Sequence, residues 1–292
     1  MPSMKKLAAS VMIASVYCTP VWAQESESPI DYLINKLNAA FDDMAAHFSE
    51  IPEPKPIQST WESFTLTPYK TLRIGEDIRL LVDAKQAGKS NGKVKQRGTV
   101  LQLLTPDVTA HIDQDTLVIT AKRHSDAKYN VQLSTINGVE AIDLHDNATI
   151  TGHNLQLSKQ PLTINSHDRA NVTLEGMVNL GALNQSSSGV TTVLWVDAEN
   201  TKLNVFNGTI KLAGSSKNTV MWAYGDAVVE APHLRSKNLW LSAAGNNRSY
   251  VNPTGYFYAH GVDHALLAHR GAYQAISSVM TGDANLVHRN LD

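Results

Sequence analysis

The chain has 292 residues, with 25 Lys and Arg against 27 Asp and Glu, and its formal net charge is −2. Scattered charges of both signs offer no large field to attract nucleic acid, and a single cysteine, Cys18, excludes a disulfide framework. At this length the chain can bury a core that holds without covalent staples.

In chain order, the first predicted element is a secretory signal over residues 1–23. Lys5 and Lys6 form its positive region, Leu7 to Tyr17 its apolar region, and Val21-Trp22-Ala23 its cleavage site. The mature chain is then expected to start at Gln24, with 269 residues, no cysteine, and a net charge of −4 once the two lysines are lost. Acylation at Cys18 is the weaker alternative, because Ser15-Val16-Tyr17 lacks the small residues that such processing prefers. The apolar run falls short of the roughly 20 residues that span a bilayer, and no later segment reaches that length. The expectation is export without a transmembrane segment, to the periplasm, the outer surface or the medium.

An amphipathic helix is predicted within residues 24–51. Ser28 caps it, Pro29 suits its first turn, and Ile30, Ile34, Leu37, Phe41, Met44, Phe48 and Ile51 recur at alternating spacings of four and three. Such a seam either oligomerises as a short coiled coil over residues 28–51 or folds back over an open strand edge. Pro52, Pro54 and Pro56 stop the helix and make residues 52–59 a semi-rigid linker. From residue 60 onward the pattern is β, with strands expected at Trp61 to Leu66, Thr71 to Ile74, Ile78 to Val82, Thr99 to Leu104, Thr116 to Thr120 and Asn130 to Leu133. Lys85 to Arg97 carries five cations and no acid among glycines, and reads as a solvated loop.

Beyond Gly138 short phrases repeat. His145-Asp146-Asn147-Ala148-Thr149-Ile150-Thr151 returns 22 residues later as His167-Asp168-Arg169-Ala170-Asn171-Val172-Thr173. Thr192-Val193-Leu194-Trp195-Val196 returns 27 residues on as Thr219-Val220-Met221-Trp222-Ala223, and Gly225-Asp226-Ala227 returns 57 residues on as Gly282-Asp283-Ala284. A polar turn followed by an alternating apolar run, recurring at coil length, predicts an all-β fold, a right-handed single-stranded β-solenoid over residues 60–292. Asparagines stacked at equivalent corners could then hydrogen-bond along the ladder.

On these phrases the chain resembles the head GIN domain family, exported bacterial proteins named for autotransporter adhesin heads. The resemblance spans Phe64 to Val287 and rests on Phe64-x-Leu66, Leu72-x-Ile74, Ile78-x-Leu80-x-Val82, Asp115-Thr116-Leu117-Val118-Ile119 and the turns at Ala148, Ala170, Ala227 and Ala284. It implies a β-solenoid at the cell surface or in the envelope, with no catalytic residues. Autotransporters carry a C-terminal membrane barrel of alternating strands, and none is visible here, so another system is expected to deliver or hold the protein.

No motif for chemistry stands out. Gly88-Lys89-Ser90 lacks the earlier glycine of a phosphate loop, with Asp83 in its place, and no nucleophile elbow is present. His260, His264 and His269 lie close in sequence but lack an acidic or cysteine partner at fixed spacing, so neither a metal nor another cofactor is expected. Asp146 and Asp168 should sit on neighbouring coils, about 4.8 Å apart as strands are, where two carboxylates could serve a carbohydrate-active solenoid enzyme. The plainer reading makes them corner residues. Aromatics give the strongest binding signal: Trp195 and Trp222 at equivalent positions of the repeat, then Trp240, Tyr250, Tyr256 and Tyr258. Rings along an outer face would suit a glycan or a surface protein, although a stacked core would look similar.

Overall fold

The computed structural model describes residues 62–83, 99–271 and 273–289. The predicted signal, helix, proline linker and basic run lie outside them. Within the described residues every regular element is a strand. The short opening strands are β1 (Glu62–Leu66), β2 (Thr71–Ile74), β3 (Ile78–Asp83), β4 (Thr99–Leu103), β5 (Val108–Asp113), β6 (Thr116–Ala121), β7 (Tyr129–Leu133) and β8 (Ala141–Leu144). Long, bending strands follow: β9 (Thr149–Ser166), β10 (Asn171–Gln185), β11 (Val190–Val205), β12 (Thr209–Tyr224), β13 (Val228–Gly245) and β14 (Arg248–Asp263). The last are β15 (Leu266–His269), β16 (Ala275–Met280) and β17 (Asn285–His288). Each long strand pairs in parallel with the next, which makes a β-solenoid of about eight turns.

The repeated phrase is the coil's corner. In each copy the second residue has a left-handed backbone, at φ 55° in Asp146, 56° in Asp168, 62° in Gly225, 62° in Asp263 and 69° in Gly282. Two residues later comes an alanine, and Ala148, Ala170, Ala227 and Ala265 are fully buried. Its N–H closes the turn, as from Ala148 to the His145 carbonyl at 3.1 Å and from Ala170 to that of His167 at 3.0 Å. Asp and Gly tolerate that backbone, and alanine fits inside the bend, where the equivalent Asn247 is also buried because its amide donates to the Ala227 carbonyl. Past the corner, Ile150, Val172, Ile210, Val229 and Leu267 point inward in one column, in which the buried Thr191 and Ser249 take the intervening coils. Each apolar side chain among them contributes about 1.5 to 3 kcal/mol through burial.

The coils do not stack in chain order at the start. Strand β2 lies between β6 and β8, and β3 between β7 and β9, so the first coil becomes an inner layer. The second coil covers its outer side. That end is then closed by antiparallel strands, with β4 on β7, β1 on β4 and β5 on β6. A tight hairpin at left-handed Gln114 joins β5 to β6. Antiparallel strands need only such short turns, and they protect a ladder end that would otherwise recruit other chains. The buried Asp77 ties the reordered coil in place: its N–H donates to Asn147 Oδ1 at 2.6 Å and its carboxylate accepts from Asn147 Nδ2 at 2.8 Å.

Candidate functional site

The face that carries the aromatics is the trailing run of each coil, residues 200–205, 218–223, 238–243, 256–261 and 275–280, which pair in strict register. Inward residues such as Met221, Leu241 and Ala259 are buried, so alternation turns every second residue outward. Three outward columns result. The first runs Asn200, Asn218, Asn238, Tyr256, Ala275; the second runs Lys202, Val220, Trp240, Tyr258, Ser277; the third runs Asn204, Trp222, Ser242, His260, Val279.

Two asparagine ladders occupy the lower part of this face. Asn165 Nδ2 donates to Asp143 Oδ1 at 2.6 Å, Asn184 to Asn165 at 2.8 Å, and Asn204 to Asn184 at 2.6 Å. Beside it, Asn218 donates to Asn200 at 2.9 Å and Asn238 to Asn218 at 2.7 Å. A carboxylate can only accept, so Asp143 sets the direction of the first ladder, and every amide gives its hydrogen to the coil below. Both ladders therefore finish on a carbonyl oxygen, and on the next rung an aromatic takes over: Trp222 above Asn204, Tyr256 above Asn238. Asn238 Oδ1 is buried without a partner, which costs about 1 to 3 kcal/mol in a folded protein.

Above the ladders the rings gather. Trp240 is 51% exposed and Tyr256 61%, and Trp240 lies against Tyr258 with centroids 4.1 Å apart. Trp222 is half-buried and carries Lys202 Nζ 5.3 Å from its ring centre, a cation–π contact. A shallow depression of about 450 Å³, floored by Asn238, Trp240, Tyr256, Tyr258 and Ile276, opens on this face.

Trp195 does not belong to this group. The sequence places it opposite Trp222, yet the ladder pairs Thr219 with Thr201 and leaves Trp195 at a register break between Val193 and Val196, on an earlier corner of its coil. Its backbone is left-handed at φ 63°, in the row of corners that also holds Asn154, Gly176 and Gly214, and its ring is 65% exposed. The bulge breaks strict alternation, so Val193 and Val196, three residues apart, both point inward. Tyr250 is also separate: it is buried on the opening run, with Arg289 over its ring at 5.8 Å.

The other candidates resolve into structural contacts. Asp146 and Asp168 do sit on neighbouring coils, but in left-handed corners, and Asp168 Oδ2 accepts the Asp146 N–H at 3.2 Å. The His145 and His167 rings stack beside them at 4.9 Å. His260, His264 and His269 do not converge: His260 meets Ser242 on the trailing face, His264 reaches Asp283 at the corner, and His269 is buried. One group that sequence reading missed brings Glu76, Asp77 and His124 within ligand distance of one another. Burial pushes the Asp77 pKa up, but bonds from Asn147, the Ser125 amide and His124 prevail and hold it below the ordinary carboxylate range. Those donors occupy the carboxylate, so the cluster works as a latch between coils.

The fold is shared with known proteins. Residues 69–262 match the family described as "Putative auto-transporter adhesin, head GIN domain". The chain belongs to that family. Among solved structures it is similar to a "putative adhesin" from Parabacteroides distasonis, at TM-score 0.64 and 18% identity over 78% of this chain and 95% of that one. A "putative adhesin" from Parabacteroides merdae matches at 0.63 and 17%, over 80% and 96%, and a "putative lipid binding protein" from Parabacteroides distasonis at 0.62 and 12%, over 78% and 96%. At these identities the likeness is one of fold. No curated protein matches the sequence. No helix among the described residues is long and apolar enough to cross a membrane.

Proposed function

We propose that this protein is an exported, non-enzymatic, adhesin-like binding protein that recognises a surface glycan or protein through the trailing face of its solenoid. The observation that carries this is the clustering of Trp222, Trp240, Tyr256 and Tyr258 on one outer face, with two of the four more than half exposed. Large rings on a rigid platform lose little entropy on binding, which suits them to be anchors. Membership of a family named for adhesin heads supports the same reading.

Labelled full-length protein applied to cells or envelope preparations tests it. Substituting both Trp240→Ala and Tyr256→Ala should cut binding by roughly tenfold or more, as loss of two anchors does, whereas Trp195→Ala should change it little. Equal binding by the folded double variant overturns the reading. The carbohydrate-active alternative predicts turnover of a glycan that Asp146→Asn or Asp168→Asn abolishes, and a panel of polysaccharides checked for new reducing ends or unsaturated products separates the two.

A further inference from the structure

We propose that the trailing face is a neutral-oligosaccharide site, in which Tyr256, Trp240 and Trp222 each support a sugar ring and the amide oxygen of Asn204 accepts a sugar hydroxyl. This rests on the reading of that face as the recognition surface and names the class of ligand.

Register places the three rings on a diagonal. Tyr256 stands in the first column of β14, Trp240 in the second column of β13, and Trp222 in the third column of β12. Two residues along a strand and one rung across it separate neighbours by about 8 Å, so the backbone positions at the ends of the track are about 16 Å apart. A track of that length matches a short oligosaccharide better than a single sugar. The apolar C–H face of a pyranose lies flat on an aromatic ring, and its hydroxyls project from the ring's edge. What such hydroxyls need is fixed acceptors close to the aromatic platforms.

The first ladder supplies one. Because each amide donates downward, Asn204 Oδ1 arrives beside Trp222 as an acceptor at the end of a polarised chain of hydrogen bonds. Asn238 Oδ1, which ends the second ladder, is buried and out of a ligand's reach, so Asn238 belongs only to the floor of the depression. The fifteen outward positions of β11 to β14 and β16 on this face contain no Asp, Glu or Arg. Lys202 is their only Lys, and it is engaged with Trp222. A strongly charged glycan would therefore find one ammonium and no bidentate guanidinium. A polypeptide strand has a better place to dock, on the outer edge of β16, which among the described strands pairs with β14 alone.

Calorimetric titration of the full-length protein with neutral hexose oligosaccharides of one to six units, alongside uronate-containing and sulfated ones, tests the assignment. Affinity should rise to about three or four units and then level off, with neutral chains preferred. Trp240→Ala and Trp222→Ala should each weaken binding by about tenfold, at the upper end of what one aromatic contact contributes. Asn204→Ala removes an acceptor near the surface without touching the core. It should lower affinity severalfold while Trp195→Ala leaves it unchanged, and circular dichroism reports whether each variant is folded. Unaltered binding by Trp222→Ala and Asn204→Ala overturns the diagonal track. If no neutral oligosaccharide binds but Trp240→Ala still abolishes attachment to cells, the face recognises a protein and this inference is wrong while the broader reading stands. If Trp240→Ala leaves cell attachment intact, the broader reading itself has failed.

Discussion

Acid should loosen the C-terminal coils, and the reason is a buried imidazole. His269 ends β15 at 2% exposure, with its ring 5.3 Å from Phe257, 5.1 Å from Tyr273 and 4.8 Å from His288. The two histidines face each other Nδ1 to Nδ1 at 3.3 Å, so one must donate and the other accept, and a doubly protonated pair cannot keep that bond. Burial, aided by His288, lowers the His269 pKa to about 4 from 6.5. Between those values the unfolded chain binds more protons than the folded one. The stability tied to the neutral ring is thus complete above pH 6.5 and is lost as pH falls toward about 4. At about 1.36 kcal/mol per pKa unit the full effect is about 3 kcal/mol at most. Hydrogen exchange of β15 and β17 amides from pH 7.5 to 4, corrected for intrinsic rates, should show that loss in the native protein. In His269→Phe, which keeps the ring volume and removes the titration, the pH-dependent part should vanish. Identical profiles for the two proteins, or a His269 resonance titrating near 6.5, would refute the argument.

Other predictions concern corners and ladders. A Cβ at Gly214, where φ is 126°, would stand 2.1 Å from the Val196 carbonyl oxygen, so Gly214→Ala should cost about 3 kcal/mol or more in urea unfolding. Gly138 also has positive φ, at 90°, but nothing within 4 Å, so Gly138→Ala should cost only about 1 kcal/mol; equal losses would show that the clash is not the cause. Trp195→Asn relieves a bulky residue in a left-handed corner and should leave stability unchanged or raise it by up to about 1 kcal/mol, with a clear drop in melting temperature counting against it. Asp143→Ala takes the terminal acceptor from the first ladder and should destabilise by about 1 to 3 kcal/mol, and a change under about 0.3 kcal/mol would mean that the ladder stores little energy.

The corner was legible in the sequence because its demands fall on single residues: a left-handed second position and a buried alanine two places on, as at Asp146 and Ala148. Strands were legible for the same reason, since β2 begins and ends where the alternating pattern of Thr71 to Ile74 does. One exception is β5, whose Val108-Thr-Ala-His-Ile-Asp has a weak pattern because only Val108 is buried. Coil order was hidden, because an inward Leu or Ile packs equally well on either neighbour and carries no record of which coil it meets. The false match of Trp195 to Trp222 has a similar origin. Thr-Val-Leu-Trp-Val and Thr-Val-Met-Trp-Ala are both generic strand phrases, and neither reports the left-handed backbone at Trp195. The ladders left a fainter signal in asparagines 19 and 20 residues apart at 165, 184 and 204, and 18 and 20 apart at 200, 218 and 238. That spacing equals one coil, and it becomes readable only once the coil length is known.

The position of the aromatic track also bears on stability. In a solenoid each coil is held by its two neighbours, and a terminal coil has one, so opening should start from whichever end is less protected. The N-terminal end has its antiparallel cover in β1, β4 and β5. At the other end β16 pairs with β14 along one edge only among the described strands, and Ile276 and Val279 remain exposed. Tyr256 and Tyr258 lie on β14, so a ligand there grips the last full coil and bridges it to β13 and β12 through Trp240 and Trp222. A ligand that binds only the closed ladder stabilises it by about 2.7 kcal/mol at a hundred times its dissociation constant. Hydrogen exchange with saturating oligosaccharide should therefore slow in β13, β14 and β16 by up to about a hundredfold and stay unchanged in β9 and β10. Uniform slowing along the whole ladder would mean that the coils open as one unit, and that the C-terminal end has no separate weakness for a ligand to repair.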